Sequence, residues 1–106
     1  MIKYDLHTHS VFSDGKNSPA EMVAYAEDKG VYFNQSHAPF PTRNPQIRSY
    51  FKRAIECTAE AGGEICIIHP DNNKSAEENA EMYHVLLPFA RDCGVKIATE
   101  NMWNWD

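Results

Sequence analysis

The residues best suited to bind a metal lie just after short aliphatic runs of the sequence. Four of the five histidines and one glutamate hold such positions: His7, His9, His37, His69 and Glu100. If these runs are parallel strands, their carboxyl ends meet at one edge of a sheet, which is where α/β proteins place their sites. Neutral imidazoles and carboxylates are ligands of divalent ions such as Zn²⁺ and Mn²⁺. The pattern therefore predicts a divalent metal site at that edge.

The histidines also have simpler interpretations. His7 and His9 are two residues apart, so on a strand they would project to one side, as two ligands of one ion do. A solvated strand edge would show the same pair. His37 and His69 each lie near a proline, where a lone histidine is often only a hydrogen-bonded loop residue. It is the convergence of all four on strand ends that favours a metal.

Two acidic residues complete the candidate set, and each has an alternative. Glu100 follows the last predicted strand, where it could instead pair with a lysine or cap a loop. Asp14 lies between Ser13 and Gly15, a sequence that also suits a plain turn without any ligand role.

Four short runs of β-branched or aliphatic residues are the predicted strands. They span residues 2–6, 31–33, 65–68 and 95–98. Each of the last three follows glycine, at Gly30, at Gly62 and Gly63, and at Gly94. Glycine commonly ends a helix in the left-handed conformation, so a helix is expected before each of these strands.

The segments between the strands carry helix signals. Ser18 and Ser75 each begin a capping box with a glutamate three residues later, and the first box predicts a helix over about residues 19–29. A second helix is predicted to begin at Asn44 and Pro45. Its expected buried stripe is Ile47, Tyr50, Phe51, Ala54, Ile55 and Thr58. The third helix has the stripe Met82, Leu86, Phe89, Ala90 and Cys93. Pro88 lies inside that stripe, which predicts a kink or break.

The predicted order is β-α-β-α-β-α-β, which indicates an α/β fold with a parallel sheet. A partial (β/α) barrel and an open doubly wound sheet both satisfy this order. The length of 106 residues and the hydrophobic content of 42% indicate one domain, residues 1–106, with one core. It is about half of a (β/α)₈ barrel of about 250 residues, so we expect a half TIM barrel.

Composition and charge argue against binding to nucleic acid, insertion in a membrane and secretion. The net charge of −5 argues against nucleic acid, and no apolar run reaches the length of a membrane span or forms a signal peptide. We therefore expect a cytoplasmic chain with no membrane partner. The three cysteines form no closely spaced pair and fall at apolar positions, which predicts reduced, buried thiols rather than disulfides.

The chain opens with the run Asp5-Leu6-His7-Thr8-His9-Ser10, and Ser13-Asp14-Gly15 follows. In these motifs, residues 1 to about 30 resemble the start of the PHP (polymerase and histidinol phosphatase) superfamily. The resemblance implies a multinuclear phosphoesterase centre with His7, His9 and Asp14 as metal ligands.

Three later motifs resemble a different family. They are Gln35-Ser36-His37-Ala38-Pro39-Phe40-Pro41, Ile67-Ile68-His69-Pro70 and Ala98-Thr99-Glu100-Asn101-Met102-Trp103. In them, residues 31–106 resemble the xylose isomerase-like TIM barrels, which include sugar phosphate isomerases/epimerases and the AP endonuclease family 2. The resemblance implies His37, His69 and Glu100 as metal ligands, with Glu100 also the candidate catalytic residue.

The two resemblances together suggest a composite chain with a junction near residue 30. The favoured function is a metal-dependent sugar (phosphate) isomerase or epimerase that binds Mn²⁺ or Zn²⁺ and a small sugar or phosphate substrate. Because the family takes further ligands from later strands, the site is expected to be incomplete on this chain. A homo-oligomer or a second barrel half would then complete it. The alternatives are a PHP-type phosphoesterase and a non-catalytic, self-associating half-barrel.

Overall fold

We describe a computed structural model of the chain for residues 16–39 and 44–100. The predicted first strand, with His7 and His9, and the turn at Asp14 lie outside the described residues. By its internal contacts the chain divides into two compact units, Met1–Phe33 and Asn34–Asp106. Each unit is described by itself, and the composite junction near residue 30 stays a prediction.

The described part of the first unit contains one helix, α1 (Pro19–Asp28). Its N-terminus has the Ser18 half of the predicted capping box, because the Ser18 hydroxyl accepts a hydrogen bond from the Glu21 N–H at 3.2 Å. The helix ends where Gly30 takes a φ of 73°. The Val31 N–H then bonds back to the Ala26 carbonyl at 2.8 Å, which closes the helix terminus in a Schellman arrangement.

The second unit alternates strands and helices in the predicted order. Its elements are β1 (Gln35–His37), α2 (Ile47–Glu60), β2 (Ile65–Ile67), α3 (Ala76–Asp92) and β3 (Lys96–Ala98). The three strands are parallel and lie side by side in chain order. This is the order of neighbouring strands in a barrel, and one half of a doubly wound sheet has the same order.

The predicted strand over residues 31–33 was wrong in position, because β1 spans Gln35–His37 instead. The reason is that pairing, and not β-propensity, decides where a strand begins. The Val31 N–H is used by the end of α1, whereas the Asn34 carbonyl accepts from Glu64 N–H at 2.7 Å at the start of β2. The other two predicted strands agree with β2 and β3 to within one residue.

The core of this unit lies between the sheet and the two helices that pack on one of its faces. The largest fully buried side chains among the described residues are Phe51, Ile55, Cys66, Ile68 and Leu86. They confirm the predicted stripes, except that Tyr50 is 40% exposed. Its hydroxyl instead donates to the Gln46 side chain on the same helix surface. The cysteines are free, with Cys66 buried and the other two half-buried.

Of the kink or break expected at Pro88, the break does not occur, because α3 continues through it to Asp92. Proline costs a helix one hydrogen bond, to the carbonyl four residues earlier. Pro88 and His84 are both exposed, so water can satisfy the carbonyl that the proline leaves free. No helix in the described ranges is both long and apolar enough to cross a membrane.

Candidate metal centre

Three successive strand ends of the second unit bring a possible ligand set together. His37 is the last residue of β1, His69 follows β2 by two residues, and Glu100 follows β3 by two residues. One ligand atom from each side chain lies within 4.8 Å of the others. The convergence predicted from the sequence is therefore present for these three residues.

The register of the sheet explains why the three side chains share one side. His37 is aligned with Ile67, and Ile67 is aligned with Ala98. His69 and Glu100 come two residues after these partners. Because side chains alternate along a strand, positions two apart point to the same face.

The opposite face of the sheet is turned to the helices. Ser36, which precedes His37, bonds through its hydroxyl to Thr58 on α2. Its register partner Cys66 is fully buried. The candidate ligands therefore project away from the helix layer.

The backbone fixes the tautomer of His37. Its Nδ1 lies 2.8 Å from the Ala38 carbonyl oxygen. A carbonyl can only accept, so Nδ1 carries the hydrogen and, in the neutral ring, Nε2 carries a lone pair. This Nε2 lies 2.6 Å from the Nε2 of His69. The arrangement is typical of a metal-binding histidine, whose second nitrogen donates to a carbonyl or carboxylate.

His69 is buried, and its surroundings favour a neutral ring. Burial lowers the pKa of His69, and the neighbouring His37 lowers it further, whereas Glu100 raises it. The His69 Nε2 lies 3.4 Å from Glu100 Oε2, and the Glu100 side chain is 49% exposed. With the lone pair of His37 on Nε2, the hydrogen in the 2.6 Å bond between the rings comes from His69 Nε2, so binding a metal there requires that hydrogen to move. The Glu100 carboxylate beside it is open to solvent.

Asn79 holds the loop that carries His69, a role that the sequence did not reveal. Its side chain donates to the Asp71 carbonyl at 2.9 Å and accepts from the Asp71 N–H at 2.8 Å. Asp71 is buried, and its carboxylate accepts from the Asn73 N–H at 2.9 Å. Both backbone polar groups of a residue two positions after His69 are therefore fixed from α3.

Tyr83 is a second residue near the site that was not predicted from the sequence. Its hydroxyl lies 2.7 Å from the Ile68 carbonyl and 2.9 Å from the Thr99 hydroxyl. Its spacing was informative: Tyr83 is three residues before Leu86 and seven before Ala90, on the flank of the predicted stripe. A tyrosine there can bury its ring and extend its hydroxyl to the end of the sheet.

The predicted site residues divide into two groups. His37, His69 and Glu100 lie together, whereas His7, His9 and Asp14 lie outside the described residues. The fifth histidine, His84, is exposed on α3 and is not part of the cluster.

The fold and the cluster define a class of protein: a segment of a parallel β/α barrel with candidate ligands at its strand ends. Comparison with family models identifies the family, because residues 4–106 match the model of the xylose isomerase-like TIM barrel. The chain belongs to that family. The match includes most of the segment that resembles the PHP superfamily.

A solved structure shares the fold. It is titled as a D-tagatose 3-epimerase-like protein and superposes with a TM-score of 0.69 at 24% sequence identity. The match covers 82% of this chain and 39% of the chain of that structure. This chain therefore spans well under half the length of that protein. A comparison with curated protein sequences finds none that matches.

Proposed function

We propose that the chain carries part of the metal site of a sugar isomerase or epimerase, with His37, His69 and Glu100 as ligands of one divalent cation. The observation that carries the proposal is the meeting of their ligand atoms within 4.8 Å at three neighbouring strand ends. Membership of the xylose isomerase-like TIM barrel family supports it.

The donor set fits a divalent cation. Two neutral imidazoles and one carboxylate are ligands that Zn²⁺ and Mn²⁺ accept. Ligand atoms at tetrahedral angles on one ion with bonds of about 2.1 Å lie about 3.4 Å apart. The two Nε2 atoms are 2.6 Å apart here, so binding requires the imidazole rings to separate and the exposed Glu100 side chain to rotate toward them. The Nδ1 hydrogen bond of His37 directs its Nε2 toward His69, and the lowered pKa of His69 favours the neutral ring that a metal ligand needs.

Such a cation would polarise the carbonyl and neighbouring hydroxyl of a bound sugar and so ease removal of the proton between them. The residues of this chain would hold the cation and the substrate in place. Glu100 is the residue on which we expect turnover to depend, since it brings the negative charge of the three ligands. We infer a small sugar or sugar phosphate as substrate. A ketose is the first to test, because the fold neighbour is titled as epimerase-like toward D-tagatose.

Metal binding tests the site directly. Native mass spectrometry of the full chain with Zn²⁺ or Mn²⁺ is expected to show one bound ion, together with the number of subunits. Metal binding should weaken by at least about 10-fold in each of the variants Glu100→Gln, His37→Ala and His69→Ala. Loss of a residue that only supports a ligand already costs about 10- to 100-fold in metal affinity, and loss of a ligand should cost no less. The matched controls are Glu81→Gln and His84→Ala, both at exposed positions of α3. They should bind as the parent does.

Two results would redirect the assignment. A bound metal that is lost with His7→Ala and retained with Glu100→Gln would favour the PHP-like phosphoesterase, and hydrolysis of a generic phosphate ester that depends on His7 would support it. A folded chain that self-associates and binds no metal would leave the structural half-barrel. A ketose epimerised by the parent but not by Glu100→Gln would support the proposed activity.

A further inference from the structure

The Tyr83 hydroxyl lies at the point where β2 and β3 end and the candidate ligands follow. It bonds to the carbonyl of Ile68, one residue before His69, and to the hydroxyl of Thr99, one residue before Glu100. The two strands are also joined by the Ile68 N–H, which donates to the Ala98 carbonyl at 2.9 Å. Tyr83 thus joins the two segments that follow β2 and β3, beyond the last backbone hydrogen bond between the strands.

The direction of these bonds follows from the chemistry of the groups. The Ile68 carbonyl can only accept, so the single hydroxyl hydrogen of Tyr83 is donated to it. The Thr99 hydroxyl must then donate to the Tyr83 oxygen. Burial raises the pKa of Tyr83, so the hydroxyl keeps its hydrogen at neutral pH. A phenylalanine ring at this position would fill the same space and make neither bond.

We infer that Tyr83 is a positioning residue that sets the relative position of His69 and Glu100 through the residue preceding each of them. The expected effect on metal affinity rests on the proposed function. The effect on the arrangement of the two side chains does not, since it can be measured without metal. The separation that Tyr83 would control is the 3.4 Å between His69 Nε2 and Glu100 Oε2.

The variant Tyr83→Phe tests the inference in the full chain, with Tyr50→Phe as the matched control. Tyr50 is exposed on α2 and its hydroxyl bonds only to the nearby Gln46 side chain among the contacts described. Circular dichroism and thermal unfolding establish that both variants are folded at the temperature of the assay. Tyr83→Phe is expected to weaken Zn²⁺ or Mn²⁺ binding by about 10-fold, as loss of an outer-shell partner does. Tyr50→Phe should not change it.

A purely structural role is separated by a double-mutant cycle with Glu100→Gln. If Tyr83 acts by placing Glu100 beside His69, its effect on metal affinity should disappear once the carboxylate is gone. Thr99→Val should reproduce part of the effect of Tyr83→Phe, because it removes the bond on the β3 side alone. An effect of Tyr83→Phe that is unchanged in the Glu100→Gln background would overturn the inference.

A measurement on the metal-free protein keeps this result distinct from that of the proposed function. NMR of the His69 ring is expected to show resonances moved by Tyr83→Phe and unmoved by Tyr50→Phe. If the parent binds no metal but these resonances move, the proposed function fails and the positioning role holds. If the parent binds metal and Tyr83→Phe binds it equally well with unmoved resonances, the positioning role fails alone.

Discussion

Thr58 is predicted to fasten the strand that ends in His37 to the helix behind it. The Thr58 hydroxyl donates to the Ala54 carbonyl at 2.7 Å, so the Ser36 hydroxyl must donate to Thr58 Oγ1. Thr58 is 2% exposed. The substitution Thr58→Val keeps the shape of the side chain, removes its hydroxyl and leaves the Ser36 O–H without its oxygen acceptor.

The cost follows from the burial of the two groups. A buried donor that loses its partner costs about 1–3 kcal/mol, and the half-buried Ser36 places Thr58→Val at about 1–2 kcal/mol. For a domain near this size, that lowers the melting temperature by about 5–10 °C. Ser36→Ala should cost less, about 0.5–1 kcal/mol, because Thr58 keeps its bond to Ala54.

The double variant is the informative one. Removing both hydroxyls leaves no orphaned donor, so the double variant should be about as stable as Thr58→Val alone. The sum of the two single losses should then exceed the double loss by about 0.5–1 kcal/mol.

Urea unfolding of the four proteins, followed by circular dichroism, measures these differences. Ser49→Ala serves as the control, since it removes a hydroxyl from the exposed side of the same helix. It should stay within about 0.5 kcal/mol of the parent. Single losses that add within about 0.3 kcal/mol would refute the pairing of the two hydroxyls.

Three further predictions concern the start of α3 and the buried thiol. Ser75→Ala removes the hydroxyl that caps the Glu78 N–H at 3.1 Å and should cost about 1 kcal/mol in urea unfolding. The Ser75 N–H lowers the pKa of Glu78, so the stability this carboxylate adds is present above its unfolded pKa and is lost as the pH falls through its folded pKa. Glu78→Gln should therefore lose less stability than the parent when unfolding is measured at about pH 3 instead of about pH 5. Burial raises the pKa of the Cys66 thiol. Mass spectrometry after alkylation of the native chain should find Cys57 and Cys93 modified before Cys66, and all three modified together in urea.

The boundaries of α1 and α3 were predictable because their causes lie within a few residues. The predicted start of α2 at Asn44 and Pro45 was wrong, because the helix begins at Ile47, and its N-cap Gln46 makes no side-chain cap bond. The capping box at Ser75 and Glu78 joins groups three residues apart, and both of its bonds are present. At the other end of α3, Gly94 takes the left-handed φ of 72°, and Val95 bonds back to Ala90. Such local contacts can be read from the residue types themselves.

The start of β1 could not be predicted in the same way, because its cause lies about thirty residues along the chain. The run over residues 31–33 has the residue types of a strand. Backbone pairing between this segment and the start of β2, however, begins only at Asn34. Where two segments meet depends on the length and packing of the helix between them, and the composition of either segment does not encode it.

The candidate site combines both cases. That His37, His69 and Glu100 share one end of the sheet follows from strand order and alternation, which the sequence carries. The tautomer of His37 and the bond that Tyr83 makes beside His69 do not follow from residue type, because both depend on backbone carbonyls of neighbouring residues. The Ala38 carbonyl fixes the His37 tautomer, and the Ile68 carbonyl receives the Tyr83 hydroxyl. Any residue has a carbonyl, so only its position in the fold gives it these roles.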